Sequence, residues 1–165
     1  MTLILGINAF HGDASACLVR DGRMLGAAEE ERFRRIKHWA GFPSEAVKWC
    51  LADAGSSLAD VEHVAVNHDP RAHWGQKLAY TLTRRPDPAL VLDRLRNRRA
   101  RAGIADHLRE AFPGQALRAR VHHVEHHNAH LSSAFHVSPF DEACVASVDG
   151  FGDFARRQQM RGDAD

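Results

Sequence analysis

The chain is poor in the features that mark secreted, membrane-spanning or polyanion-binding proteins. It has only three cysteines in 165 residues, Cys17, Cys50 and Cys144, with no paired spacing. Each sits in an apolar stretch, so they read as reduced, buried small hydrophobes rather than a disulfide framework. No apolar run approaches the roughly 20 residues that span a bilayer. The first residues, MTLILGINAF, carry no basic region and no cleavage-type site. They read as a strand rather than an export signal, and the expected location is cytoplasmic. Charge of one sign is also missing: 22 Lys and Arg face 21 Asp and Glu, for a net charge of +1. That balance excludes a general nucleic-acid or membrane-surface binder, which needs a basic excess. No internal repeat or low-complexity segment appears.

What is present reads as an α/β chain. Leu3–Ala9 is a short apolar run broken by His11, Gly12 and Asp13. Ser15–Arg20 and Met24–Ala28 follow, joined by Asp21-Gly22, the signature of a tight hairpin. Residues 29–38 form a dense charge run, whose plain reading is a solvated loop or helix face. Pro43 and Ser44 open a helix, with Ser44 as the expected N-cap. Val47, Leu51 and Ala54 share one face, and Gly55 supplies the stop. Val61–Val66 reads as a strand. Ala79–Ala111 carries eight arginines and an amphipathic pattern through Leu90, Leu92, Leu95, Ile104 and Leu108. One or two surface helices account for it, with phosphate binding as the functional alternative. Leu117–Val124 alternates as a strand, His126–Phe135 has helical character, and Cys144–Val148 is a last apolar strand. Three strands followed by alternating helix and strand predict a mixed sheet.

The stretch HHVEHHNAHLSSAF, from His122 to Phe135, holds five of the twelve histidines. On a helix, His126 and His130 fall on one face, one turn apart. Two neutral imidazoles so placed can share a divalent ion. The alternative is a polar helix start whose histidines bind water. Asn128 stands where a zinc-protease motif would have glutamate. A third ligand would strengthen the metal reading, and Asp149 is the candidate, at the end of an apolar strand where α/β sites collect. Two imidazoles and a carboxylate suit iron, manganese or zinc. His122, His123 and His127 fall on other faces or on the preceding strand and are expected at the surface.

Two glycine-rich loops carry further candidates. Gly150 and Gly152, following Asp149, let the backbone approach a phosphate; a plain turn is the alternative. Between the first two strands, His11 and Asp13 point the same way if the segment is extended. One could orient a hydroxyl substrate and the other take its proton. The alternative is a turn in which Asp13 bonds nearby backbone N–H groups.

Taken together, LGINAFHGDASACLVRDGRMLGAAEEERFRRIKHWAGFPSEAVKWCLADAG resembles the start of the O-carbamoyltransferases of nodulation-factor and antibiotic biosynthesis. HHVEHHNAHLSSAF and VASVDGFGDF are similar to that family's next two motifs, in the same order. The resemblance runs to about Ala155. It implies the first half of an actin-like ATPase (ribonuclease H-like) domain: a mixed sheet with an initial three-strand meander and flanking helices. It also implies an enzyme that uses carbamoyl phosphate and ATP to make a carbamoyl-adenylate. The carbamoyl group then passes to a hydroxyl of a small-molecule acceptor. On this resemblance His126, His130 and Asp149 match the ligands of a divalent metal, with iron favoured and manganese or zinc also compatible. His11 and Asp13 match the His-x-Asp segment at the substrate and phosphate end of the first hairpin, where either could serve the hydroxyl as base or polarising partner, and Gly150 and Gly152 would let the backbone close on nucleotide phosphates. Glu29–Arg35 matches the family's charged run after the third strand.

The resemblance also implies proteins several times longer, with a second half to the actin-like domain and a separate carbamoyl-activating domain. Residues 1–155 are therefore expected to be an incomplete amino-terminal domain. Residues 156–165, RRQQMRGDAD, are expected to be a disordered or out-of-frame tail. A chain lacking those parts is expected to be inactive alone. The alternative is a non-enzymatic metal- or nucleotide-binding half-domain that pairs with a separate chain. A chaperone- or sugar-kinase-like relative of the same fold is a third reading, weakened because that fold does not require His-x-x-x-His.

Overall fold

The computed structural model describes residues 1–10, 12–67, 103–147 and 156–161. His11, Asp149, Gly150 and Gly152 lie outside the described residues, as do Leu90, Leu92 and Leu95 of the arginine-rich run. The chain divides into two compact units, Met1–His123 and Val124–Asp165.

The first unit is built on a mixed sheet. Strands β1 (Leu3–Asn8), β2 (Ser15–Arg20) and β3 (Arg23–Glu29) form an antiparallel meander. Strands β4 (His63–Val66) and β5 (Arg120–His123) add in parallel on the other side of β1, for the order β3-β2-β1-β4-β5. The turn between β2 and β3 has Asp21 at φ 47° and Gly22 at φ 77°. Both values lie in the left-handed region, as a two-residue hairpin turn with the right twist demands. A bulge at Leu18/Val19 skips Leu25 in the β2–β3 ladder.

Alternation along β1 buries Leu3, Leu5 and Ile7 on one face. Helix α2 (Ser44–Asp53) sets Val47, Cys50 and Leu51 into that face, and α3 (Ile104–Ala111) adds Ile104 and Leu108. Full burial of each large aliphatic side chain contributes roughly 1.5–3 kcal/mol. Gly55 ends α2 with φ 60°. Its N–H reaches Ala52 O at 3.1 Å and the Ser56 N–H reaches Leu51 O at 2.9 Å, the paired bonds of a Schellman stop. Gly6, in the middle of β1, is required by packing: a Cβ there would stand 2.6 Å from Cys17 Sγ.

The second unit pairs helix α4 (His126–His136) with a two-stranded antiparallel sheet, β6 (Glu142–Ser147) and β7 (Arg156–Arg161). Three expectations are corrected here. The tail beginning at Arg156 was expected to be disordered, yet β7 pairs with β6 over six registered residues. Ladder pairing uses main-chain groups and does not need an apolar sequence. Cys144 is exposed, because strand alternation puts residues 142, 144 and 146 on the outer side of β6. Cys17 is half-buried, and Cys50 alone is buried as expected. Finally, Ser44 does not cap α2; it is the first helical residue, and the cap comes from elsewhere in the chain.

Candidate functional site

That cap is Glu30. Its side chain is wholly buried, and its carboxylate accepts the main-chain N–H of Ala46 at 2.8 Å and of Glu45 at 3.3 Å. A carboxylate at this position also meets the positive end of the helix dipole. Arg34, one turn along the short helix α1 (Glu31–Arg34), closes on Glu30 at 2.6 Å. Arg34 lies over the Trp39 ring at 4.6 Å. The charge run is therefore only partly a solvated face. Its middle glutamate fastens α2 to the end of β3, a role that residue spacing did not reveal.

The same run reaches the loop after β1. Asn8 ends β1 and donates from Nδ2 to Asp13 O at 3.0 Å. Asn67, just past β4, donates to Asn8 Oδ1 at 3.0 Å, so the carboxyl ends of two parallel strands are tied. Phe10 N–H bonds Gly41 O at 3.2 Å, and Ala14 N–H bonds Trp39 O at 2.9 Å. The His107 ring, from α3, stands 5.2 Å from both Phe10 and Phe42. Phe10, Asp13 and Ala14 are thus held from three directions.

Within this frame Asp13 Oδ1 meets His38 Nδ1 at 2.8 Å, across 25 positions of sequence. Both residues have left-handed backbone, Asp13 at φ 62° and His38 at φ 54°. Phe10 and Arg35 are left-handed too, at 61° and 58°. Such strain persists only where surrounding structure imposes it, and it concentrates at functional sites. Glu31 accepts the His38 main-chain N–H at 3.1 Å. The hydrogen bond and charge of Asp13, with a smaller effect from Glu31, hold the His38 imidazole above the usual histidine range. Among the described residues the Asp13 carboxylate bonds the His38 ring. His38 was not anticipated; its partnership with Asp13 depends on how two loops meet.

In the second unit, His126 and His130 are brought together. Their Nε2 atoms are 3.1 Å apart, with rings edge to face at 4.5 Å. Two nitrogens at about 2.0–2.1 Å from one divalent ion would stand roughly 2.8–3.4 Å apart for angles between octahedral and tetrahedral. The pair fits a shared ion, and it equally fits an imidazole–imidazole hydrogen bond. Among the described residues no group of three His, Cys, Asp or Glu side chains converges to hold a metal. Glu125 caps α4 by accepting Asn128 N–H at 3.0 Å, and its other oxygen meets His127 Nδ1 at 2.9 Å. His127 is buried, contrary to expectation, because it shares the i, i+4, i+8 stripe of Leu131 and Phe135. His122 and His123 are exposed as expected, and His122 Nε2 lies 3.0 Å from His63 Nδ1.

A meander extended by parallel strands, with helices on its apolar face, defines an actin-like ATPase α/β fold. Solved structures agree: YeaZ from Pseudomonas aeruginosa superposes with a TM-score of 0.51 at 18% identity, covering 99% of this chain and 62% of that one. A second structure, that of an uncharacterized protein with similarity to peptidase YEAZ from Pseudomonas aeruginosa, gives 0.52 at 18% identity, covering 99% and 61%. The family described as Carbamoyltransferase N-terminus matches residues 3–164, and the chain belongs to it. Nodulation protein NolNO of Sinorhizobium fredii is 34% identical over 148 residues, covering 90% of this chain and 21% of that protein. An uncharacterized protein of Synechocystis sp. is 35% identical over 168 residues, covering 94% and 26%. The chain thus spans about a quarter of the length of these relatives. The match runs through residue 164 and so includes the strand Arg156–Arg161. Among the described residues no helix is long and apolar enough to cross a membrane.

Proposed function

We propose that this chain is the amino-terminal part of an O-carbamoyltransferase. The observation that carries the reading is the carbamoyltransferase amino-terminal family match over residues 3–164. The reaction is transfer of a carbamoyl group from carbamoyl phosphate, through an ATP-derived carbamoyl-adenylate, to a hydroxyl of a small-molecule acceptor. His126 and His130 are the side chains that would hold a divalent metal, with Asp149 as third ligand; their 3.1 Å Nε2 separation supports this. Such an ion would polarise the transferring carbonyl. In this reading the His-x-Asp segment of His11 and Asp13 serves the acceptor hydroxyl, and Gly150 and Gly152 admit the nucleotide phosphates. The site lies in the cytoplasm, where both co-substrates are made.

Because the chain spans 26% and 21% of two relatives, the remaining machinery belongs to further sequence or to a second chain. The test is a graft. The chain replaces the matching segment of NolNO, and the product is assayed with labelled carbamoyl phosphate, ATP, a divalent metal and a panel of hydroxyl acceptors. Label is expected on an acceptor only when ATP is present. A folded graft that transfers no label, beside an active parent protein, would falsify the reading. The 165-residue chain alone is expected to form no carbamoyl-adenylate.

A further inference from the structure

We infer that His38, oriented by Asp13, is the general base that takes the proton of the acceptor hydroxyl. The inference deepens the carbamoyltransferase reading and rests on it. A carboxylate only accepts hydrogen bonds, so the 2.8 Å contact places the imidazole proton on Nδ1. Nε2 is then left with its lone pair, the arrangement a base requires. The His38 side chain is 79% exposed, so substrate reaches it and water can take the proton away.

The pair is held rather than accidental. Two left-handed residues face one another, and neither is glycine. Ala14 N–H bonded to Trp39 O at 2.9 Å locks the residue after Asp13 to the residue after His38. Glu31 fixes the His38 main chain from the other side at 3.1 Å. Asp13 lies in the loop that follows β1 and is braced by Asn8, itself tied to Asn67, at the carboxyl ends of β1 and β4, where open α/β sheets gather substrates.

The acceptor oxygen forms a bond to the carbamoyl carbon, and its proton passes to His38 Nε2. The bond from that carbon to the phosphoryl oxygen breaks, and its electron pair leaves with the phosphate or adenylate. His38 then returns the proton to water. Asp13 touches neither reactant and is a positioning residue. Among the described residues Asp13 and Glu31 are the charged groups that act on His38, and both favour its charged form. The base form is therefore populated only as pH rises through the raised His38 value.

Two experiments read this. In the 165-residue chain, nitrogen-15 shifts are expected to show Nδ1–H and an unprotonated Nε2 on neutral His38, and D13N is expected to lower its titration midpoint. In the graft, H38N is expected to lower kcat about 10²–10⁴-fold, with partial rescue by added imidazole. D13N is expected to move the rising limb of the pH–rate profile to lower pH. Asparagine tolerates left-handed backbone, so neither substitution threatens the loop. A transferring graft whose rate and pH profile survive H38N overturns this inference and leaves the functional reading standing. A graft that transfers nothing overturns both. A neutral His38 with its proton on Nε2 overturns the dyad whatever the graft does.

Discussion

Glu30 and Ala46 are joined at 2.8 Å by a carboxylate accepting a main-chain N–H, and this bond fastens α2 to the end of β3. Replacing Glu30 with Ala leaves two helix N–H groups without their acceptor and removes the partner of Arg34. A buried donor left unmade costs about 1–3 kcal/mol. E30A is expected to destabilise the chain by roughly 2–3 kcal/mol and E30Q by less, since an amide oxygen still accepts. Urea unfolding midpoints check this; equal midpoints for wild type and E30A would refute it.

The imidazoles of His126 and His130 are expected to bind a divalent ion. Isothermal titration with zinc or manganese should show a site weakened at least tenfold by H126A and by H130A, while H122A leaves it unchanged. Retained affinity in both variants would identify the 3.1 Å contact as a hydrogen bond between rings.

Stability should respond to pH through His38. Its folded value is raised, chiefly by the Asp13 hydrogen bond. The stabilisation is then fully present below the ordinary histidine value and is lost as pH rises through the raised one. The wild-type melting temperature is expected to fall across that window relative to D13N, in which the dependence flattens. Parallel curves for the two proteins would contradict the linkage.

Gly6 and Cys17 are expected to be coupled. A Cβ on Gly6 meets Sγ at 2.6 Å, so G6A forces the thiol aside within the sheet. The cost should be about 1–2 kcal/mol, within the usual range for overpacking. C17A removes the sulfur, so G6A should cost less in that background; a double-mutant cycle with no coupling would disprove the clash.

The parts legible in advance were local. The hairpin at Asp21-Gly22 follows from backbone that only a few residues adopt cheaply. The stop at Gly55 has the same origin. The stripe of Val47 and Leu51 follows from helical period. His126 and His130 were paired by their spacing alone, because one helical turn sets two side chains side by side. His127 was misplaced because spacing says which residues share a face, not which face is covered.

Sequence alone therefore determined the strands from β1 to β6, the turn chemistry and the convergence of two imidazoles, since each depends on residues within a few positions. Tertiary structure decided the rest. It turned Glu30 from a surface charge into a helix cap 16 residues away. It set His38 against Asp13 and paired the polar segment Arg156–Arg161 with β6. These contacts arise where separate stretches of backbone meet, and the geometry of that meeting is fixed by the packing of the whole sheet and its helices rather than by local sequence.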